Sequence, residues 1–315
     1  MKTKLTLLSS ALIVSVASTT VYAKESLQFN DVFDFKSAKA TQLSEDGRIL
    51  SLSATPYRGD ATGQVYSLSG NSLIAEVPRG TKPVINKAAN WVAFTQVPTL
   101  LEQETTKKKD ALKNNLVLVN TQTGEQQSFS NVKDYKLSND GTWLAYRLDQ
   151  KAAKGDDEKA EDESASTHAN KNDSAITPDK DDKTYPLVIV NLSNKRSHTI
   201  TDVFNYSISA TNQQLLVSQS YSDGNNNQIA LLNLNDFVSS ILIDEPGVVA
   251  SKIAWHPTEA SVAFTLGNYV NDDMRRRNYS LQLWQNEQLT TINSPNKDWG
   301  IGKTAALIWS ENGER

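Results

Sequence analysis

Cysteine is absent from the 315 residues, and histidine occurs only three times. Without cysteine, disulfide bonds and catalysis by a thiol nucleophile are excluded. The three histidines, His168, His198 and His256, are too few for a histidine-rich metal site. We therefore expect neither a metal ion nor a cofactor.

An excess of charge of either sign is also lacking, because 32 basic and 36 acidic residues give a net charge of −4. This balance gives no support for binding to nucleic acid or to an anionic membrane surface. Apolar residues make up 38% of the chain, which is slightly low for a globular protein. The length is sufficient for one large repeat domain or two ordinary ones.

The amino-terminal segment has the pattern of a secretory signal peptide. Lys2 and Lys4 precede a mostly apolar run at 5–16, and small residues lie at the −3 and −1 positions before a predicted cleavage between Ala23 and Lys24. The run is shorter than the roughly 20 residues that a membrane-spanning helix needs. We expect signal peptide 1–23 to be removed and the mature chain to be periplasmic or secreted. An uncleaved membrane anchor is the alternative.

A turn followed by a short apolar strand recurs along the chain. Residues 44–52 contain Ser-Glu-Asp-Gly before the strand, and residues 138–146 repeat the pattern as Ser-Asn-Asp-Gly. Asp and Asn accept local backbone hydrogen bonds and Gly adopts positive φ at little cost, so these residues predict a tight hairpin turn. Degenerate copies lie at 86–94, 209–217 and 256–264, and a sixth begins at 310.

A second motif, an apolar run that leads into a polar turn and a polar strand, lies between successive copies. It occupies 115–120, 186–191, 228–233 and 280–284, with a weaker version at 64–69. Each repeat therefore contains two hairpins, or four strands. The turn positions are between 42 and 71 residues apart: Gly47, Ala89, Gly141, Asn212, Glu259 and Gly313. This spacing predicts an all-β propeller over 24–315, with about five complete blades and a sixth that is cut open.

The longest interval contains a charged insert at 151–183. It holds ten acidic residues and six lysines. Such a segment buries too little apolar surface to offset its ordering entropy, so we expect a disordered loop that joins two strands inside the fourth repeat interval. An acidic patch for a basic partner or for Ca²⁺ is the alternative, although the Asp spacing of a calcium loop is missing.

The repeat resembles the Trp-Ser-Pro-Asp-Gly repeat of periplasmic propellers, which occurs in the translocation protein TolB and in prolyl oligopeptidase family peptidases. Bacterial secreted members of the peptidase family have segments that resemble residues 27–35, 53–60 and 275–281 and the charged insert. In that family the propeller caps an α/β-hydrolase domain with a Ser-Asp-His triad, whose serine lies in a Gly-x-Ser-x-Gly turn. The sequence contains no such motif, so we assign it no catalytic residue.

The resemblance implies a substrate-gating and domain-docking role, with an α/β-hydrolase peptidase domain, missing from this chain, as the partner. The alternatives are a stand-alone TolB-like propeller that binds peptides or proteins, and a remnant without function. The run Arg275, Arg276 and Arg277 is a candidate for docking or peptide contact, against a solvated loop. We expect Trp143, Trp255 and Trp309 to pack between blades rather than to line a channel, and His256 to be a turn residue.

Overall fold

A computed structural model describes residues 28, 31–107, 112–150, 183–221, 226–270, 273–292, 300–303, 305–310 and 313; the side chains of residues 33, 34, 270 and 273–276 are excluded. The predicted signal peptide, its cleavage point at Ala23 and Lys24, and the insert apart from Lys183 lie outside the described residues. The described chain is almost entirely antiparallel β-structure, with two short helices, α1 (Asp31–Asp34) and α2 (Leu100–Thr105).

The strands form consecutive four-stranded units. The first unit contains β1 (Lys36–Leu43), β2 (Ile49–Pro56), β3 (Thr62–Ser67) and β4 (Ser72–Pro78). The second unit contains β5 (Gly80–Ile85), β6 (Trp91–Gln96), β7 (Asn115–Asn120) and β8 (Gln126–Phe129). The last described unit contains β16 (Val249–Trp255), β17 (Val262–Val270), β18 (Asp273–Gln285) and β19 (Gln288–Ile292).

The third and fourth units share a strand and form one seven-stranded sheet. Its strands are β9 (Val132–Leu137), β10 (Trp143–Leu148), β11 (Tyr185–Asn191), β12 (Ser197–Ile208), β13 (Gln214–Gln219), β14 (Gln228–Asn233) and β15 (Ser239–Asp244). The first half of β12 pairs with β11, and its second half pairs with β13. β12 contains no Gly or Pro and continues through Asp202, whose φ is 56°. The sequence pattern did not indicate this fusion.

These four-stranded antiparallel units are consistent with a propeller. Within the described ranges the sheets form no closed ring. The insert joins β10 to β11, the second and third strands of the third unit, so its placement in a fourth interval was wrong. The equivalent connection of the second unit, between β6 and β7, holds α2, where Thr99 and Glu102 form a reciprocal capping box.

Side-chain bonds within the repeat turns explain why these turns recur. The Ser44 hydroxyl donates to Asp46 at 2.6 Å and accepts from the Ile49 backbone N–H at 3.0 Å. Ser138 repeats both bonds, to Asp140 at 2.6 Å and from the Trp143 backbone N–H at 2.8 Å. The side chain of the first turn residue thus accepts a hydrogen bond from the backbone N–H five residues later, which closes the hairpin. Local bonding of this kind favours Ser, Asp and Asn at turns.

The fifth turn reaches the same closure with a different residue. His256 Nδ1 accepts from the backbone N–H groups of Thr258 at 3.2 Å and Glu259 at 2.9 Å. Nδ1 is therefore the acceptor nitrogen, and Nε2 faces the Gly313 carbonyl oxygen at 3.0 Å. The turn positions predicted from the alignment adopt positive φ at Gly47, Ala89, Gly141, Asn212 and Gly313. Glu259 is not among the positive-φ residues of the described chain, because the imidazole supplies the turn bonds instead.

The second motif forms a turn that is led by asparagine. Asn120 Oδ1 accepts from the backbone N–H groups of residues 122 and 123, and Asn191 Oδ1 accepts from those of residues 193 and 194. Each turn then closes on the Asn carbonyl oxygen through a residue with positive φ, which is Gly124 in one and Lys195 in the other. The predicted two hairpins per repeat are therefore confirmed.

Neighbouring units pack face to face through alternating side chains of their second strands. Ile49 of the first unit packs with Val92 and Phe94 of the second. On the opposite face of the second unit, Trp91 and Ala93 pack against the third. The remaining two interfaces follow the same alternation. A side-chain period of two along each strand is what allows one sheet to bury both faces.

Helices of the described chain are too short to cross a membrane, and none has a sufficiently apolar stretch.

Candidate functional site

A cavity of about 610 Å³ opens where the first strands of three successive units approach one another. Side chains from β5, from β9 and from the end of β12 form its wall, with contributions from the loop that enters β7. The lining residues are Lys82, Val84, Thr95, Asn114, Asn115, Leu116, Val132, Lys133, Asp134, Tyr135, Lys136, Leu137, Ser207 and Ile208. A volume of this size is typical of small-ligand sites, which range from about 300 to 1,000 Å³.

The edge of β9 faces this cavity. All six consecutive residues of the strand, Val132–Leu137, line it. Side chains of a strand alternate between two faces, so six consecutive lining residues place the strand's backbone edge, rather than one face, against the space. β9 is also the last strand of the seven-stranded sheet, and its one strand partner there is β10. At the start of its other edge the Val132 backbone N–H donates to the Asn114 carbonyl oxygen at 2.7 Å. Such an edge can accept a further strand.

Three lysines give the cavity wall a positive charge. Lys82, Lys133 and Lys136 are exposed. Among the described residues, none of their ammonium groups forms an ion pair with a carboxylate within 4.0 Å. The one acidic residue of the wall, Asp134, is paired with Arg147.

Asp134 is held in a network that links the third unit to β12. Arg147 Nε donates to both carboxylate oxygens of Asp134 at 3.0 Å. The same guanidinium donates to the Phe204 carbonyl oxygen. The Tyr206 hydroxyl donates to Asp134 Oδ1 at 3.0 Å, and the Ala145 carbonyl oxygen lies 3.3 Å away. This charge-assisted network fixes the carboxylate toward the sheet.

Burial raises the pKa of two tyrosines, one that lines the cavity and one that donates a hydrogen bond to Asp134. Burial raises the pKa of Tyr135 to about 12. Burial also raises the pKa of Tyr206 well above its usual range, and the negative charge of Asp134 adds to that shift. Both phenols therefore stay neutral in the folded chain at a pH where an unfolded tyrosine ionises. Their contribution to stability is complete below pH ~10 and falls as the pH rises above that value.

Replacing Tyr206 with phenylalanine is expected to lower the free energy of unfolding by about 1–2 kcal/mol at neutral pH, because one buried bond to a charged acceptor is lost. The variant should also lose less stability than the parent between pH ~10 and ~12, since one raised pKa is removed. Urea unfolding at pH 7 and pH 11 measures both effects. Tyr57→Phe, at a residue that is 84% exposed, is the control, and equal losses in the two variants would contradict the assignment.

The arginine run was predicted as a contact site, and the structure describes only part of it. The side chains of Arg275 and Arg276 lie outside the described set. The Arg277 guanidinium lies 4.5 Å from the centre of the Tyr269 ring and donates to the Tyr269 hydroxyl at 2.8 Å. The run is therefore part of β18 rather than a solvated loop, and Arg277 does not reach the β9 cavity.

The aromatic residues singled out in the sequence lie between units, as predicted. Trp143 makes an edge-to-face contact with Phe237 of the fourth unit, with ring centres 5.8 Å apart. Trp255 Nε1 donates to the Ser207 carbonyl oxygen at 3.0 Å, and Trp309 Nε1 donates to that of Ala254 at 2.9 Å. Each indole thus joins one repeat to its neighbour, although Trp255 also borders a smaller polar cavity of about 220 Å³.

The remaining histidines have local roles or lie elsewhere. His198 stacks on Phe237, with ring centres 4.9 Å apart. His168 lies outside the described residues. Over the part of the chain that the structure describes, no group of three His, Asp or Glu side chains is close enough to hold a metal ion.

No family model matches the sequence, and no curated protein matches it. The solved structures that the chain resembles include the β-propeller domain of the Trilobed protease from Pyrococcus furiosus, at 11% identity and a TM-score of 0.39, covering 65% of this chain and 54% of that one. Acylaminoacyl peptidase from Pyrococcus horikoshii is similar at 11% identity and a TM-score of 0.44, covering 83% and 40%. TolB from Acinetobacter baumannii is similar at 10% identity and a TM-score of 0.36, covering 80% and 52%.

These neighbours include propeller domains of prolyl oligopeptidase family peptidases. The chain spans about half the length of the three structures, from 40% to 54%. At 10–11% identity and with TM-scores below 0.5, the likenesses establish neither a blade number nor a function for this chain.

Proposed function

We propose that this chain is the propeller region of a prolyl oligopeptidase family serine peptidase, which gates substrate access, docks on an α/β-hydrolase domain and is not catalytic by itself. The observation that carries the proposal is the cavity bounded by the edge of β9. The motifs at 27–35, 53–60 and 275–281 supply the link to the family.

In this role the cavity admits an extended peptide and excludes a folded protein. An extended chain can add to the edge of β9 through main-chain hydrogen bonds, which bind without regard to sequence. Side chains of such a peptide then project alternately toward the two walls. A cavity of about 610 Å³ holds only a few residues at a time, so substrates are selected by their cross-section.

Short peptides with blocked termini and an uncharged dye test the binding step. A peptide that alternates valine with glutamine is expected to bind the purified chain in a fluorescence anisotropy titration. Val84→Trp should weaken this binding about tenfold or more, because Val84 is 41% exposed and lines the cavity, where an indole occupies the space of the peptide.

The matched control is Val238→Trp, at a valine that is 60% exposed and is absent from the cavity wall. It should leave the binding unchanged. If neither variant alters the binding, or if no peptide binds, the cavity is not the peptide site and the proposal fails.

A stand-alone, TolB-like binding propeller is the second candidate, because described residues of three successive units of this chain line the cavity. The intact mass of the native polypeptide from the periplasm of the source organism separates the two. A mass far above 34.7 kDa supports the peptidase, and a mass near that value less the signal peptide supports the binding propeller.

The organisation that accompanies the proposal is a signal peptide at 1–23, cleaved between Ala23 and Lys24, and a periplasmic or secreted propeller over 24–315 with a disordered insert at 151–183. In the peptidase, Arg275, Arg276 and Arg277 are assigned to contacts with the hydrolase domain or with a peptide carboxylate. The guanidinium group forms paired hydrogen bonds with carboxylates, which suits it to either role.

A further inference from the structure

We infer that the β9 cavity selects acidic peptides, with its lysines recognising carboxylate side chains on an extended chain bound along β9. This inference rests on the peptide-binding part of the proposed function and names its substrate class. Lys82 comes from the first strand of the second unit, and Lys133 and Lys136 come from that of the third. The Lys133 ammonium group lies 5.5 Å from the centre of the Tyr185 ring, so Lys82 and Lys136 are the lysines that the two edges offer to the cavity.

The wall carries little negative charge to offset these lysines. Asp134 is its one acidic residue, and its carboxylate accepts hydrogen bonds from Arg147 and Tyr206. The Arg147 charge neutralises Asp134 inside the sheet. An incoming peptide therefore meets the exposed Lys82 and Lys136 on a chain whose net charge is −4, so the charge of this wall is opposite to that of the chain as a whole.

Lys82 lies in a β-bulge of β5. It has a φ of 48° and lies within a register shift between Thr81 and Val84. The first unit has the same irregularity around Ala40, with a φ of 50°. Bulges re-aim side chains at sheet edges and next to sites. At this bulge the second unit has Lys82, which lines the cavity, whereas the first unit has Ala40 at the equivalent position.

The rest of the lining suits the non-acidic side chains of such a peptide. Val84, Leu116, Leu137 and Ile208 provide apolar contacts. A strand that alternates acidic and apolar residues places its carboxylates on one side and its apolar groups on the other. The cavity therefore favours alternating acidic and apolar sequences over uniformly acidic ones, which lack the apolar contact.

Three dye-labelled peptides with blocked termini test the charge preference, alternating valine with glutamate, with glutamine or with lysine. At low ionic strength the glutamate peptide should bind about tenfold more tightly than the glutamine peptide, as expected for two or three partly exposed ion pairs. The lysine peptide should bind most weakly. In 1 M salt, where the Debye length is about 3 Å, the preference should fall to about twofold or less.

The double variant K82Q/K136Q should reduce the glutamate preference, measured as the ratio of the two affinities on the same variant, to about twofold. The control K195Q/K303Q changes two exposed lysines outside the cavity and should keep the preference.

If the glutamine peptide binds in a manner that Val84→Trp blocks, but wild-type protein shows no glutamate preference, the inference is wrong and the proposed function stands. If no peptide binds, the proposed function fails as well. The salt titration uses wild-type protein, so it decides the matter even if K82Q/K136Q does not fold.

Discussion

Phe94→Ala is expected to lower the free energy of unfolding by about 3–5 kcal/mol, which is the usual cost of truncating a fully buried phenylalanine. Phe94 lies on β6 with no exposed surface and packs among Val65, Val77 and Val117. The substitution removes the largest side chain of the contact between the first two units and leaves a cavity there. The surrounding β-sheets are hydrogen-bonded and cannot collapse fully to fill it.

The fit around Phe94 explains why little relaxation is expected. Gly63 on β3 faces the ring, and a Cβ at that position would lie 2.5 Å from ring carbons of Phe94. The absence of a side chain at Gly63 therefore makes room for the ring. The alanine variant would leave this space open on the Gly63 side and on the valine side at once, which places the expected loss in the upper part of the range.

Urea unfolding followed by tryptophan fluorescence measures the loss. Phe129→Ala is the matched control, because Phe129 is only partly buried, on the outer strand β8, where its ring lies 5.3 Å from that of Tyr146. It should cost roughly half as much or less, in proportion to the smaller apolar area removed from water. Equal losses in the two variants would mean that Phe94 contributes no more to the interface between the first two units than the partly buried Phe129 contributes to that between the second and third.

The strands and turns of the units followed from the sequence because their causes are local. A Ser or Asn side chain that bonds to a backbone N–H five residues later, as Ser138 bonds to that of Trp143, depends on one short segment alone. The apolar runs that pair behind these turns are equally local. The fifth turn also lies where the alignment of the repeats placed it, between β16 and β17, but His256 replaces Ser there and supplies the bonds through its ring, so that Glu259 needs no positive φ.

The fusion of the third and fourth units did not follow from the sequence. It depends on β12 continuing through Asp202 at a φ of 56°, whereas Gly247 at a φ of 70° precedes the separate sheet of the last unit. Both residues take the left-handed conformation, so the identity of one residue does not determine whether the strand breaks. The pairing of β12 with both neighbours decides it, and that pairing is nonlocal.

The candidate site was missed for the same reason. Lys82 and Lys136 are 54 positions apart in the numbering and belong to different sheets, so packing between units brings them to one cavity. Each is an ordinary exposed lysine when its strand is considered alone. A detectable signal existed, since aligning the repeats places Lys82, Lys133 and Lys136 on the first strand of adjacent units. The run at 275–277 was more conspicuous because its residues are consecutive.

Gly141→Ala is expected to cost about 3–4 kcal/mol, and Gly47→Ala only about 1–2 kcal/mol, although both glycines occupy the same turn position. Their φ values are 76° and 70°, where any L-residue costs roughly 1–2 kcal/mol. A Cβ at Gly47 would meet nothing within 4 Å. A Cβ at Gly141 would collide with the amide of Asn90 and lie 2.7 Å from Trp91 Cδ1, which adds about 1–3 kcal/mol of overpacking.

The difference between the two glycines arises from contacts between neighbouring turns. Asn90 Nδ2 donates to the Asp140 carbonyl oxygen at 2.9 Å, and Asn86 Nδ2 donates to that of Asn139 at 3.1 Å. Moving Asn90 to accommodate a methyl group breaks the first of these bonds and disturbs the second. Urea unfolding of both variants, each compared with the parent, isolates this contribution because the backbone strain is common to them. Similar losses would show that the turns of adjacent units fold independently of one another, and that the sheet faces alone hold the units together.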